Sequence, residues 1–257
     1  MLLRASILTS ADGNAAAIEK ADASGPFLFV CEHASRRLPE NVGNLGLSEE
    51  ALSSHIAWDP GALAVARHLS SQLDGALVHQ RFSRLVYDCN RPPESPGAMP
   101  ESSEIYDIPG NVGLSPAERY ARTAALYIPF HDLISSTIAD REARGQATVM
   151  VTVHSFTPVY RGVRREVEIG ILHDTDHRLA DAMLDNAAGG PYRVARNEPY
   201  GPEDGVTHSL RLHALPKGFM NVMIEVRNDL IANDADQRVM AGYLADLLRK
   251  AFEACQN

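Results

Sequence analysis

The chain has 257 residues, 45% of them hydrophobic and 22% charged, with a formal net charge of −9. That length can bury one large α/β core, and the composition is ordinary for a globular protein. The acidic balance argues against a nucleic-acid binder, which needs a basic face, and no apolar run approaches the roughly 18 residues that span a bilayer.

Residues 1–25, rich in Ala, Ser, Asp and Gly, read as an N-terminal extension, with Leu2–Leu8 able to add an edge strand. They hold no uninterrupted apolar segment before Asp12, so no secretory signal is expected. Residues 26–257 read as a single domain. Phe27–Cys31 follows Gly25-Pro26 as a short run of aromatic and β-branched residues, the mark of a buried strand, and it breaks directly into Glu32-His33. Ser48 precedes a short helix, and Asp59-Pro60 is placed to cap a longer one with Leu63, Ala66, Leu69 and Leu73 at helical spacing. Strands are expected at Ala76–His79 and Leu85–Tyr87. From Pro92 to Gly113 five prolines make an irregular loop, of a length that is usually functional or mobile. Ser115-Pro116-Ala117-Glu118 is a capping box, and the helix it opens runs to about Arg144. Tyr120, Ala124, Tyr127, Ile134 and Ile138 lie on one face of that helix, with a kink at Pro129. Strands follow at Ala147–Val153, Val167–Leu172, Tyr192–Ala195 and Met220–Val226. Between them come a loop with Arg161, Arg164 and Arg165 that reads as a solvated face, a helix over Arg178–Ala187, and a short helix near Ser209–Ala214. An amphipathic helix over Asp234–Phe252 closes the chain, with Val239, Met240, Tyr243, Leu244, Leu247, Leu248 and Phe252 inward. This alternation predicts an α/β fold: a mixed, mostly parallel central sheet with helices on both faces.

Four polar clusters end apolar runs: Glu32-His33, Asp88-Cys89-Asn90-Arg91, His154-Ser155 and Glu225-Val226-Arg227-Asn228-Asp229. In open α/β sheets ligands bind at the carboxyl ends of the strands, so the four are expected at one sheet edge. His33 and His154 suit a Zn²⁺ ion, since two neutral imidazoles and one carboxylate leave a fourth position for water. The third ligand is Glu32 or Asp59. Glu32 adjoins His33, but neighbours on a strand point to opposite faces. Asp59 serves equally as a helix cap. Glu225 is the natural general base beside such an ion. Asn90 and Arg91, with Arg84 and Arg36 nearby, suit an anion, because a guanidinium matches a carboxylate bidentately. Cys31, Cys89 and Cys255 have no metal-type spacing and read as reduced thiols in a cytoplasmic setting. The chain has no G-x-S-x-G elbow, P-loop, G-x-G-x-x-G or H-E-x-x-H helix.

Six blocks, CEHASRRLPE, WDPGA, FSRLVYDCNRPP, VTVHSF, NEPYGPEDG and IEVRNDLI, together resemble the N-formylglutamate amidohydrolase family, in the expected order over about residues 27 to 250. That family is distantly similar to zinc carboxypeptidases and aspartoacylases, which implies a zinc-carboxypeptidase-like, phosphorylase/hydrolase-like fold. The likeness makes His154 a ligand of one zinc ion, Glu225 the base, and Asn90 and Arg91 the carboxylate binders. It departs at Arg36, which stands where carboxypeptidases place a ligand glutamate, and the acidic residue of the next block falls on Asp59. The implied substrate is N-formyl-L-glutamate, a small acidic N-acyl amino acid, split to formate and glutamate. Another acidic amide, another divalent metal, or a binding protein without catalysis are the alternatives.

Overall fold

The computed structural model describes residues 6–256. Its centre is a sheet of seven strands: β1 (Ala16–Glu19), β2 (Phe27–Cys31), β3 (Ala76–Gln80), β4 (Val149–Phe156), β5 (Ile169–Leu172), β6 (Val194–Arg196) and β7 (Asn221–Arg227). The order across the sheet is β1-β3-β2-β4-β7-β5-β6. Strands β3, β2, β4 and β7 run parallel; β5 runs antiparallel to β7, β6 parallel to β5, and β1 antiparallel to β3. Among the described residues six α-helices accompany them: α1 (Glu49–Ser53), α2 (Ala62–Gln72), α3 (Pro116–Arg122), α4 (Ile128–Ala143), α5 (Arg178–Ala187) and α6 (Asp234–Gln256). The expected mostly parallel α/β sheet is therefore present.

Both faces of the sheet are buried, and the two-residue period of the strands sorts side chains between them. Phe29, Leu77, Val151, Ile171 and Ile224 pack with α2, α5 and α6 on one face. Leu28, Val30, Val78, Met150 and Met223 face the other way, against Phe130, Ile134 and Ile138 of α4. Counting on from Met150 and Met223 by twos puts His154 and Glu225 on the α4 face, near the carboxyl ends of β4 and β7. No helix among the described residues is long and apolar enough to cross a membrane.

Several local expectations are corrected. Leu85–Tyr87 is buried but forms a turn, closed by the Val86 N–H on the Ser83 carbonyl. Side chains take the carbonyls a strand would pair: Asn111 Nδ2 donates to Leu85 O at 2.9 Å and Arg122 Nη1 to Val86 O at 3.2 Å. The helix expected at Asp59 begins at Ala62 instead, with Gly61 as its N-cap. Pro129 does not kink the long helix alone; a π-helical stretch, Thr123–Tyr127, separates α3 from α4. The widened turn shifts the buried face, so Tyr120 is exposed while Arg122, Phe130 and Arg141 are buried. Val239 of α6 is exposed as well. Residues 16–19 of the N-terminal segment form the edge strand β1; of the stretch Leu2–Leu8, residues 2–5 lie outside the described residues and 6–8 are not strand.

Candidate metal centre and cleft

The chain makes a turn after β2 that presents His33, and the N–H of Asp59 donates to the His33 carbonyl at 2.9 Å, tying the two segments together. Gly61 enables the turn behind Asp59. Its φ of +81° is left-handed, and a Cβ there would lie 2.5 Å from the Ile231 carbonyl oxygen, so only glycine fits. Released from capping α2, the Asp59 carboxylate points at His33 and His154. Ser155 secures it, with its N–H 3.3 Å from Asp59 Oδ2 and its hydroxyl donating to Pro60 O at 2.8 Å.

Three donor atoms then converge. His33 Nδ1 lies 3.3 Å from Asp59 Oδ2 and 3.2 Å from His154 Nδ1, and His154 Nδ1 lies 2.9 Å from Asp59 Oδ2. All three residues are buried, and they form a group able to hold a metal ion. Ligands at about 2.0–2.1 Å from a tetrahedral zinc stand about 3.3 Å from one another. The observed triangle fits one face of that tetrahedron. The other nitrogen of each imidazole meets a second carboxylate. His33 Nε2 is 2.7 Å from Asp88 Oδ1, and His154 Nε2 is 3.0 Å from Glu32 Oε2, off the line of a well-directed hydrogen bond. Outer carboxylates of this kind fix the tautomer and orientation of a metal-binding histidine. Of the two acids weighed as third ligand, Asp59 lies in the triangle and Glu32 behind it.

The electrostatics point the same way. Asp59, Asp88 and Glu225 share the pocket with Arg84, whose guanidinium bridges two of them, 2.8 Å from Asp88 Oδ2 and 3.4 Å from Asp59 Oδ1, while Glu32 stands behind His154. Burial opposes a proton on His33 and His154, yet the facing carboxylates outweigh it and raise both imidazoles above their ordinary pKa. The cluster thus demands positive charge at the point where the imidazoles meet. Burial likewise opposes ionisation of Glu32, but His154 outweighs it and brings the carboxyl down to about 2. Glu225 behaves oppositely. Burial is the largest influence on it and pushes its carboxyl up to about 7. It sits beside His154 across the β4–β7 ladder, and its Oε2 is buried without a hydrogen-bond partner.

His33, Asp59, Asp88 and His154 line a cleft of about 340 Å³, with Arg84, Asn90, Arg91, Tyr160, Tyr200 and Glu225 also in its walls. Asn90 is spent on the wall itself: its Nδ2 donates to Val206 O, and its Oδ1 accepts from the Ser209 N–H at 3.1 Å. Arg91 donates to the Asp204 carbonyl. Arg36 is exposed and is not among the residues of the cleft, because the segment after His33 turns outward to the surface. Asp88, which the sequence shows only as part of a polar cluster ending an apolar run, pairs with Arg84 and also orients His33. Tyr200 was missed although it lies within the NEPYGPEDG block. Gly170 makes room for it. Gly170 is the register partner of Glu225 on β5, and a Cβ there would stand 1.9 Å from the Glu198 carbonyl oxygen. Its bare backbone lets residues 197–200 cross the sheet face beside Glu225.

A buried His-Asp-His triangle with an unpartnered glutamate beside it, at the carboxyl edge of an α/β sheet, has the form of a hydrolytic metal centre. The model of the N-formylglutamate amidohydrolase family matches residues 25–232. The chain belongs to that family. A gene product of Agrobacterium tumefaciens of known crystal structure is 64% identical, with a TM-score of 0.96, over 98% of this chain and 100% of that one. The N-formylglutamate amidohydrolase of Ralstonia eutropha shares the fold at 19% identity and a TM-score of 0.62, over 90% of this chain and 94% of that one. No curated protein matches the chain significantly.

Proposed function

We propose that the chain is a zinc-dependent amidohydrolase that splits N-formyl-L-glutamate into formate and L-glutamate. The observation that carries this is the triangle of His33 Nδ1, Asp59 Oδ2 and His154 Nδ1, with sides of 2.9–3.3 Å, beside the unpartnered Glu225 Oε2. Those three atoms would hold the ion. When bound, zinc supplies a Lewis acid that polarises the amide carbonyl and acidifies the attacking water.

The rest of the work falls to the chain. Asp88 holds the His33 imidazole by a hydrogen bond, and the Glu32 carboxylate, 3.0 Å from His154 Nε2, favours the same tautomer there by charge, which leaves each Nδ1 free to coordinate. Glu225 accepts a proton from the attacking water and returns it to the leaving nitrogen. A carboxyl pushed up to about 7 suits both steps, since an acid–base group works best when its pKa lies near the working pH. Arg84 is committed to Asp59 and Asp88, so Arg91 is the better grip for a substrate carboxylate. Asn90 shapes the wall behind it.

The test is a panel of N-formyl, N-acetyl and longer N-acyl amino acids, run on zinc-loaded and chelator-treated protein. The proposal expects the highest kcat/KM for N-formyl-L-glutamate and loss of turnover after chelation, restored by zinc. Preference for a neutral amino acid, or turnover indifferent to chelation, would contradict it.

A further inference from the structure

Two stretches of the described residues are π-helical, Thr123–Tyr127 and Leu210–Ala214. Turns of this kind are frequent at functional sites. Here both bring imidazoles to one place behind the wall of the cleft. His131, a turn beyond the first stretch on α4, and His213, within the second, are buried; His208, just before the second, is half-buried. The His131 ring centroid lies 5.1 Å from that of His213, 5.6 Å from that of His208 and 4.2 Å from that of Tyr127. None of these rings lines the cleft.

The hydrogen bonds of this frame have a fixed direction. His131 Nε2 lies 2.9 Å from the Cys89 carbonyl oxygen, which can only accept, so Nε2 carries the proton. Burial holds His131 and His213 below their ordinary pKa and therefore neutral. His131 Nδ1 thus accepts, at 2.8 Å, from the Nε2–H of His213. Cys89 lies inside the turn Asp88–Arg91, closed by the Arg91 N–H on the Asp88 carbonyl at 3.0 Å. The segment that carries His208 and His213 is tied to the same turn at three further points: Asn90 Nδ2 on Val206 O, the Ser209 N–H on Asn90 Oδ1, and Arg91 Nη1 on Asp204 O. Asp88, at the metal end of the turn, has anchors of its own. Its N–H donates to the Ala98 carbonyl at 2.8 Å, and its carboxylate faces His33 and Arg84. Arg91, at the other end, takes its place from the turn and from the Asp204 carbonyl.

We propose that His131 is a positioning residue for Arg91: backed by His213, it fixes the Cys89 carbonyl, and through it the turn that delivers the Arg91 guanidinium to a substrate carboxylate. The inference rests on the amidohydrolase reading, in which Arg91 is that grip. Without the imidazole the Cys89 carbonyl and the His213 N–H are left unmatched in a buried place, and the turn shifts to find them partners. Asp88 stays with His33, so the shift falls on Arg91. A guanidinium fork displaced by about 1 Å no longer meets a carboxylate with two N–H groups at once. The metal triangle keeps its geometry, so the loss falls on binding.

The experiment compares zinc-loaded wild-type protein with His131→Leu, His131→Gln, Arg91→Gln and the double variant His131→Leu, Arg91→Gln, using N-formyl-L-glutamate. His131→Leu is expected to raise KM about 10- to 100-fold and to leave kcat within about 3-fold. His131→Gln, whose amide N–H still reaches the Cys89 carbonyl, should recover most of that loss. The double variant should be no worse than Arg91→Gln alone, because both changes act through one guanidinium. A role confined to core packing makes the two losses add; additive losses, or an unchanged KM in His131→Leu, overturn the proposal. The second readout needs no turnover. Hydrogen exchange at the Arg91 and Ser209 amides should be about 10-fold faster in His131→Leu, with the β4 amides unchanged. Equal protection of the Arg91 amide in both proteins also overturns it. If His131→Leu fails to fold, His213→Leu, which removes the donor to His131 Nδ1, decides by the same KM and exchange readings. Absence of any N-acyl amino-acid hydrolysis in the wild type defeats the amidohydrolase reading by itself, and exchange at the Arg91 amide then still decides whether His131 fixes the turn.

Discussion

Replacing Glu225 with glutamine keeps the side chain's shape and removes its capacity to carry a charge or a transferable proton. Two effects of opposite sign follow. Losing a general base costs on the order of 10²- to 10⁴-fold in kcat. Stability should move the other way. Burial raises the Glu225 carboxyl from 4.5 to about 7. The folded state therefore binds more protons than the unfolded chain between those values, and stability falls as pH rises through that window. Above it, the metal-free wild type carries the full cost, about 3 kcal/mol at 1.36 kcal/mol per unit. Glutamine carries none of it. The metal-free Glu225→Gln protein should thus be more stable than wild type by up to about 3 kcal/mol at pH 8, with the difference shrinking towards pH 4.5. For a domain of this size that is a rise of roughly 2–4 °C in Tm per kcal/mol. Thermal melts of both proteins in chelator, at pH 5 and pH 8, measure the difference directly. A variant that melts with the wild type at both pH values, or keeps near-normal turnover when zinc-loaded, refutes the reasoning.

Asp88→Asn and Glu32→Gln, which weaken the orientation of His33 and His154, should each lower zinc affinity about 10- to 100-fold, read by competition with a chromogenic chelator. Gly170→Ala must displace the Glu198 carbonyl, 1.9 Å from the new Cβ, and with it Tyr200. A stability loss of roughly 1–3 kcal/mol and a raised KM are expected, and wild-type values for both would remove Gly170 from the account. His131 and His213 face each other at 2.8 Å in the core, and burial lowers them to about 3 and about 4. Protons then bind the unfolded chain first as pH falls below about 6.5, so stability rises with pH across this window. Each imidazole should cost about 2 kcal/mol at pH 5, and a His131→Gln, His213→Gln double variant should flatten that part of the pH–stability curve relative to wild type.

The parts of the centre that were legible in sequence lie on strands or directly after them. FLFVC, VMVTV and NVMI are apolar runs that could only be buried, and the polar residue that breaks each run had to sit near the sheet edge. Glu32 with His33 next to it, His154 and Glu225 follow from that. Asp59 was half legible. Its neighbours Pro60 and Gly61 suit a helix start, and only the close approach of the Ile231 carbonyl to Gly61 shows why the carboxylate turns inward. Leu85–Tyr87 misled because its apolar character reports burial, while its backbone partners are the side chains of Asn111 and Arg122, about 25 and 35 residues on. The π-helical turn at Thr123–Tyr127 has no pattern of its own, so the helix face was read in the wrong phase before it. Arg165 was unreadable as anything but surface; it is half-buried, and Tyr200, whose hydroxyl accepts from its Nη2 at 2.9 Å, is 35 residues away.

The most direct measurement is an anomalous difference map from crystals of the zinc-loaded protein. The account predicts one strong zinc peak about 2.0–2.1 Å from His33 Nδ1, His154 Nδ1 and Asp59 Oδ2 together, and none in Asp59→Ala. A peak held by the Nε2 atoms or by Glu32, or no peak at this triangle in the wild type, would contradict it.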